Sequence, residues 1–128
     1  MSIDWAVKHI TDEDITRLRT LISHQQRAIE EQNFADLARL DMQFHEFICI
    51  KAEHTRLLKA WHEQHAQSQM LLNIRFRAMP EYTPETVISD HTNILDALER
   101  RDATTANALT LEISQRVADE CVVALRRT

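Results

Sequence analysis

The chain has 128 residues, 44% apolar and 27% charged, with a net charge of −5, a size that suits one compact domain with a single core. It contains no glycine and two prolines, which argues against a strand-rich fold with tight turns and for long helices joined by short polar loops. The acidic balance, with a sequence pI near 5.8, argues against a chain that grips nucleic acid by itself, and no apolar run reaches the roughly 20 residues of a membrane span.

Six helices are expected in chain order. The first covers about Ile3–Ile10. Thr11 and Asp14 form a capping-box pattern that opens a second helix through about Glu31. Ile15, Leu18, Leu21, Ile22 and Ile29 make its narrow apolar stripe. Asn33 is the expected N-cap of a third, with Phe34, Leu37, Leu40, Phe44 and Ile48 facing inward. A fourth runs from about Thr55 to Ala78, carries Leu58, Trp61, Leu72 and Phe76, and stops near Pro80. Thr83 followed by Pro84 predicts a capping residue and then proline at the first helical position. The fifth helix carries Val87, Ile88, His91, Ile94, Leu95 and Leu98. Asp102 is the expected cap of a sixth, with Ala106, Leu109, Ile113, Val117, Cys121 and Ala124 inside. The pattern predicts an all-α fold, an antiparallel bundle of about six helices, as one domain over residues 1–128. Cys49 and Cys121 sit in helical apolar patterns without a CxxC unit, and the N-terminus lacks a signal-peptide core. Reduced thiols and a cytoplasmic location are therefore expected.

The chemistry concentrates in "LDMQFHEF", residues 40–47. Asp41 and His45 lie four apart on the inward stripe of the third helix, and His91 lies on the inward stripe of the fifth. A buried carboxylate without a partner costs on the order of several kcal/mol, so Asp41 needs a cation, a protonated histidine or strong donors. A divalent metal held by Asp41, His45 and His91 supplies one, since imidazole and carboxylate suit zinc and nickel. An Asp–His hydrogen bond beside a satisfied core histidine fits the same spacing. No nucleophile or general base recurs at a useful spacing and no oxyanion-hole loop is readable, so a non-enzymatic role is expected over a metal-assisted hydrolase.

The segment "LDMQFHEFI" resembles the D-x3-H helix of the FadR C-terminal domain (FCD), the effector-binding half of GntR-type bacterial transcription regulators. "SDHTNILDALERRDATTANAL" is similar to that family's next signature, a histidine, an Ile-x-x-Ala-Leu core, an Arg-Asp turn and an alanine-bearing last helix. The resemblance extends from about Asp12 to the C-terminus. It implies an antiparallel helical bundle, usually a homodimer, with an internal pocket for a small carboxylate effector. In many members an aspartate and three histidines hold a metal beneath that acid. Asp41, His45 and His91 match three of those four ligands, whereas the fourth position falls on Ile113, or on Ser114 one residue later. A second departure is His54, where the family often has asparagine.

Other polar side chains compete for the pocket. His62 and His65 lie three apart on the fourth helix, and His65 shares a stripe with Leu58, Trp61 and Leu72. His65 can therefore enter the core, or either histidine can sit on the surface or the pocket rim. Arg75 is in step with Leu72 and is a candidate to bind a ligand carboxylate through bidentate hydrogen bonds, whereas Arg77 is as readily solvated. The resemblance also implies a DNA-binding winged helix ahead of the effector domain, which this sequence does not contain, so DNA is expected only through such a domain. A dimerisation module with a degenerate metal site remains the alternative to a sensor.

Overall fold

The computed structural model describes the backbone of residues 2–51 and 55–127, with side chains except at 2–5, 49, 51, 55–58, 60–62, 64 and 65. Six helices and no strand occur among the described residues: α1 Ser2–His9, α2 Asp12–Glu30, α3 Phe34–Lys51, α4 Thr55–Ala78, α5 Thr83–Glu99 and α6 Ala103–Arg127. His54, and the side chains of Cys49, Leu58, Trp61, His62 and His65, lie outside the described residues.

The helix starts follow local chemistry. Thr11 accepts from the Asp14 backbone N–H while the Asp14 carboxylate accepts from the Thr11 N–H, a complete capping box. Asn33 accepts from the Asp36 N–H at 3.1 Å and Asp102 from the Thr105 N–H at 3.1 Å, each satisfying a donor that the first helical turn leaves free. The fifth helix departs from expectation. It begins at Thr83 itself, with Tyr82 at the N-cap and no side-chain cap. The Thr83 hydroxyl is buried and donates to the Met79 carbonyl at 2.6 Å, so it ties the new helix to the residue just after α4 instead of capping its own.

With no glycine available, two helix ends use ordinary residues in the left-handed region, Gln32 at φ 55° and Arg101 at φ 59°. The bonds around them repeat. The Gln32 N–H reaches the Ile29 carbonyl and the Asn33 N–H the Ala28 carbonyl; the Arg101 N–H reaches Leu98 and the Asp102 N–H reaches Ala97. Both turns are Schellman motifs, and in both the last residue of the turn is also the N-cap of the next helix. This overlap makes the α2–α3 and α5–α6 connections short and reverses the chain sharply.

Cross-helix contacts set the directions. Arg19 on α2 pairs with Asp96 and Glu99 late on α5, while Gln25, farther along α2, meets His91 earlier on α5; the two helices are antiparallel. α4 and α6 run the same way, since Arg75 meets Glu120 and the Arg127 guanidinium reaches the Ala78 carbonyl. The buried apolar side chains form two clusters. One holds Leu18, Phe44, Ile94, Leu98 and Ile113. The other holds Ala28, Leu37, Leu40, Phe76 and Val87. On three helices a polar residue falls between the clusters: Gln25 on α2, Asp41 on α3 and His91 on α5, all buried. A polar layer thus crosses the bundle between two apolar ones.

Candidate functional site

A cavity of about 350 Å³ lies among α3, α4, α5 and α6, its wall including Asp41, His45, Leu72, Arg75, Asp90, His91, Ile113, Val117 and Cys121. Asp41 is 4% exposed and His91 2%, whereas the His45 side chain is 39% exposed. The structure therefore brings together the three residues singled out on two separate helices. One ligand-type atom from each lies within 4.8 Å of the others.

The arrangement of those atoms is informative. His45 Nε2 and His91 Nε2 stand 3.1 and 3.0 Å from the same carboxylate oxygen, Asp41 Oδ1, yet that oxygen is buried without a partner in hydrogen-bond geometry. The protonation of His91 follows from its other nitrogen. Gln25 Nε2 donates to the Leu40 carbonyl at 3.2 Å, which fixes the amide and leaves Gln25 Oε1 as an acceptor 3.0 Å from His91 Nδ1. His91 Nδ1 must then carry the proton. Burial, and the nearby His45, hold His91 below its ordinary pKa against the pull of Asp41. A carboxylate oxygen 3.0 and 3.1 Å from two imidazole nitrogens calls for a proton or a metal ion among them. The Phe44 ring stacks on His91 with centroids 3.9 Å apart and 6° between the planes, holding the imidazole in this plane.

Electrostatics agree with a cation-seeking site. Burial pushes Asp41 up, but the two imidazoles outweigh it and keep the carboxyl well below the usual range. Burial lowers His45 as well, and the Asp41 carboxylate more than reverses this, so His45 is raised. One carboxylate and two imidazoles with converging atoms suit zinc or nickel, and a second polar group orienting a ligating histidine is characteristic of such sites. The donor set fits a divalent ion. The fourth position does not contribute: Ile113 is 7% exposed and apolar in the cavity wall. Asp90, next to His91, is held by Arg116.

Arg75, 1% exposed, lines the same cavity. Its Nε donates to Glu120 Oε1 at 2.8 Å, while Nη2 lies 2.7 Å from the same oxygen in an ion pair and donates to the Thr86 hydroxyl at 3.4 Å. Its Nη1 is buried without a partner. Arg77 is exposed. Sequence reasoning missed Gln25, Thr86, Asp90, Arg116 and Glu120. Gln25 was within reach, because it extends the stripe of Leu18, Ile22 and Ile29 at helical spacing. The four ion-pair and hydroxyl groups carried no such signal, since their partners lie on other helices.

The family model of the FCD domain matches residues 1–116, taking in α1 and ending within α6, a span that starts earlier and stops sooner than the resemblance read from the motifs. Comparison with curated proteins and with solved structures finds no match.

Proposed function

The chain belongs to the FCD-domain family, and from that premise we propose that it senses a small organic acid over a divalent metal as the effector domain of a GntR-type transcription regulator. The family is a regulatory, ligand-sensing one and not a catalytic one, and its members serve DNA-binding regulators. The observation that carries the proposal is the convergence of Asp41 Oδ1, His45 Nε2 and His91 Nε2 at the wall of a cavity. Asp41, His45 and His91 would hold the ion, zinc or nickel. When bound, it supplies the positive charge that draws a carboxylate into an otherwise largely apolar chamber.

The chain's own residues do the rest. Gln25 and Phe44 set the His91 ring, Leu72, Val87 and Val117 exclude water, and Arg75 presents a buried donor. A filled cavity spans helices α3 to α6, so a ligand with differential affinity for two packings of these helices shifts the balance between them. In the intact regulator that shift passes to a DNA-binding domain, and we propose a homodimer as the working assembly. Among the described residues no helix is long and apolar enough to cross a membrane.

Ile113 in the fourth-ligand position favours a second reading, a dimerisation module whose pocket no longer binds. Two measurements separate them. Elemental analysis of purified protein is expected to show zinc or nickel, and a panel of small carboxylates is expected to raise the melting temperature selectively, by mass action on the native state. Absence of both effects supports the module.

A further inference from the structure

We infer that the cavity selects a monocarboxylate bearing a neutral hydrogen-bond acceptor at its far end, and that Glu120 is the residue that excludes a second carboxylate. The inference rests on the proposal that the cavity binds a small acid. Its wall has two chemically different ends. At one, Asp41, His45 and His91 converge. At the other, Arg75 lines the wall and behind it meets Thr86, which lies five residues before His91 on α5, roughly 7.5 Å along the helix axis at 1.5 Å per residue.

The Arg75 end offers a donor without net charge. Glu120 occupies two of the guanidinium nitrogens through a single oxygen. Arg116 bridges Asp90 and, at 3.8 Å, the same Glu120 oxygen. Two carboxylates and two guanidinium groups therefore cancel, Arg75 and Asp90 on the wall and Glu120 and Arg116 paired to them from behind it. A second ligand carboxylate placed here would find the buried Arg75 already paired with Glu120 and two fixed carboxylates nearby, and a buried charge without compensation is strongly disfavoured. Arg75 Nη1 nevertheless remains buried without an acceptor, a deficit that a hydroxyl, carbonyl or ether oxygen relieves without bringing charge. The far end thus rewards an acceptor and rejects an anion.

The test uses calorimetric titration of the zinc-loaded 128-residue chain at pH 7.5 with straight-chain acids of four to six carbons, as unsubstituted monocarboxylates, ω-hydroxy monocarboxylates and α,ω-dicarboxylates. At the best chain length the ω-hydroxy acid is expected to bind at least tenfold more tightly than the dicarboxylate, and also more tightly than the unsubstituted acid. Glu120→Gln is expected to shift the ratio at least tenfold toward the dicarboxylate, with circular dichroism checking that the variant is folded. If it is not, the comparison within the parent protein still decides. Dicarboxylates binding the parent as tightly as the hydroxy acids would overturn the inference and leave the pocket's role standing. No binding by any of the three sets would remove the pocket's role and the inference with it.

Discussion

His91 and Gln25, 66 positions apart, share a buried 3.0 Å contact that decides which imidazole nitrogen faces Asp41. The Gln25 amide is itself oriented by the Leu40 carbonyl, so a backbone oxygen on α3 sets the tautomer of a histidine on α5. Replacing Gln25 with methionine keeps the volume but removes both bonds. The expected result is a 10- to 100-fold loss of zinc affinity, the usual size of such outer-partner effects, measured by competition against a chelator. Unchanged affinity would detach the tautomer from metal binding.

The fourth-ligand position offers a gain-of-function test. Ile113 lies in the cavity wall with Asp41, His45 and His91, and Ile113→His is expected to raise zinc or nickel affinity more than tenfold. Conversely, His45→Ala and His91→Ala are each expected to abolish metal that copurifies. Metal retained by both single variants would place it elsewhere in the molecule.

Acid should act on this site twice. Asp41 is held below its unfolded pKa of about 3.9, so its contribution to stability is present above that value and lost as the pH falls. In the metal-free protein, Asp41→Asn is expected to lose less stability than the parent between pH 5 and pH 3, read by urea unfolding; equal losses would count against the buried charge. Metal binding requires neutral His45, whose pKa is raised by Asp41, so apparent zinc affinity is expected to fall from pH 8 to pH 6. A flat profile would remove His45 from the ligand set.

The two left-handed turn residues should respond differently to glycine. Gln32 is exposed, and Gln32→Gly relieves the Cβ penalty of its φ of 55°. Glycine's greater unfolded-state freedom offsets part of this, leaving a gain of about 0.5 kcal/mol, or roughly 2 °C. Arg101 has the same backbone geometry, but its guanidinium also donates to the Val7 carbonyl at 2.9 Å and anchors α1. Arg101→Gly is therefore expected to be neutral or destabilising. Thermal melts of both variants check the contrast, and equal gains would show that the Val7 contact contributes nothing.

Much of this protein could be read without coordinates. The six helices, the caps at Thr11, Asn33 and Asp102, and the inward stripes around Phe44, His91 and Ile113 follow from spacing and local hydrogen bonding, because these depend on residues within four positions of each other. Asp41, His45 and His91 were legible as candidates for the same reason, being polar residues on apolar stripes. The cap at Thr83 was misread because its hydroxyl turns back to the Met79 carbonyl four residues earlier, a local bond that competes with capping and that a Thr-Pro pattern does not distinguish from it.

What only the tertiary structure decided is the chemistry between helices. That Gln25 directs a proton on His91, that Glu120 neutralises Arg75, and that Asp90 is taken by Arg116 could not be inferred from a linear pattern. The energy of a buried charge depends on which opposite charge stands within a few ångströms, and that neighbour is set by how four helices pack, not by its distance along the chain.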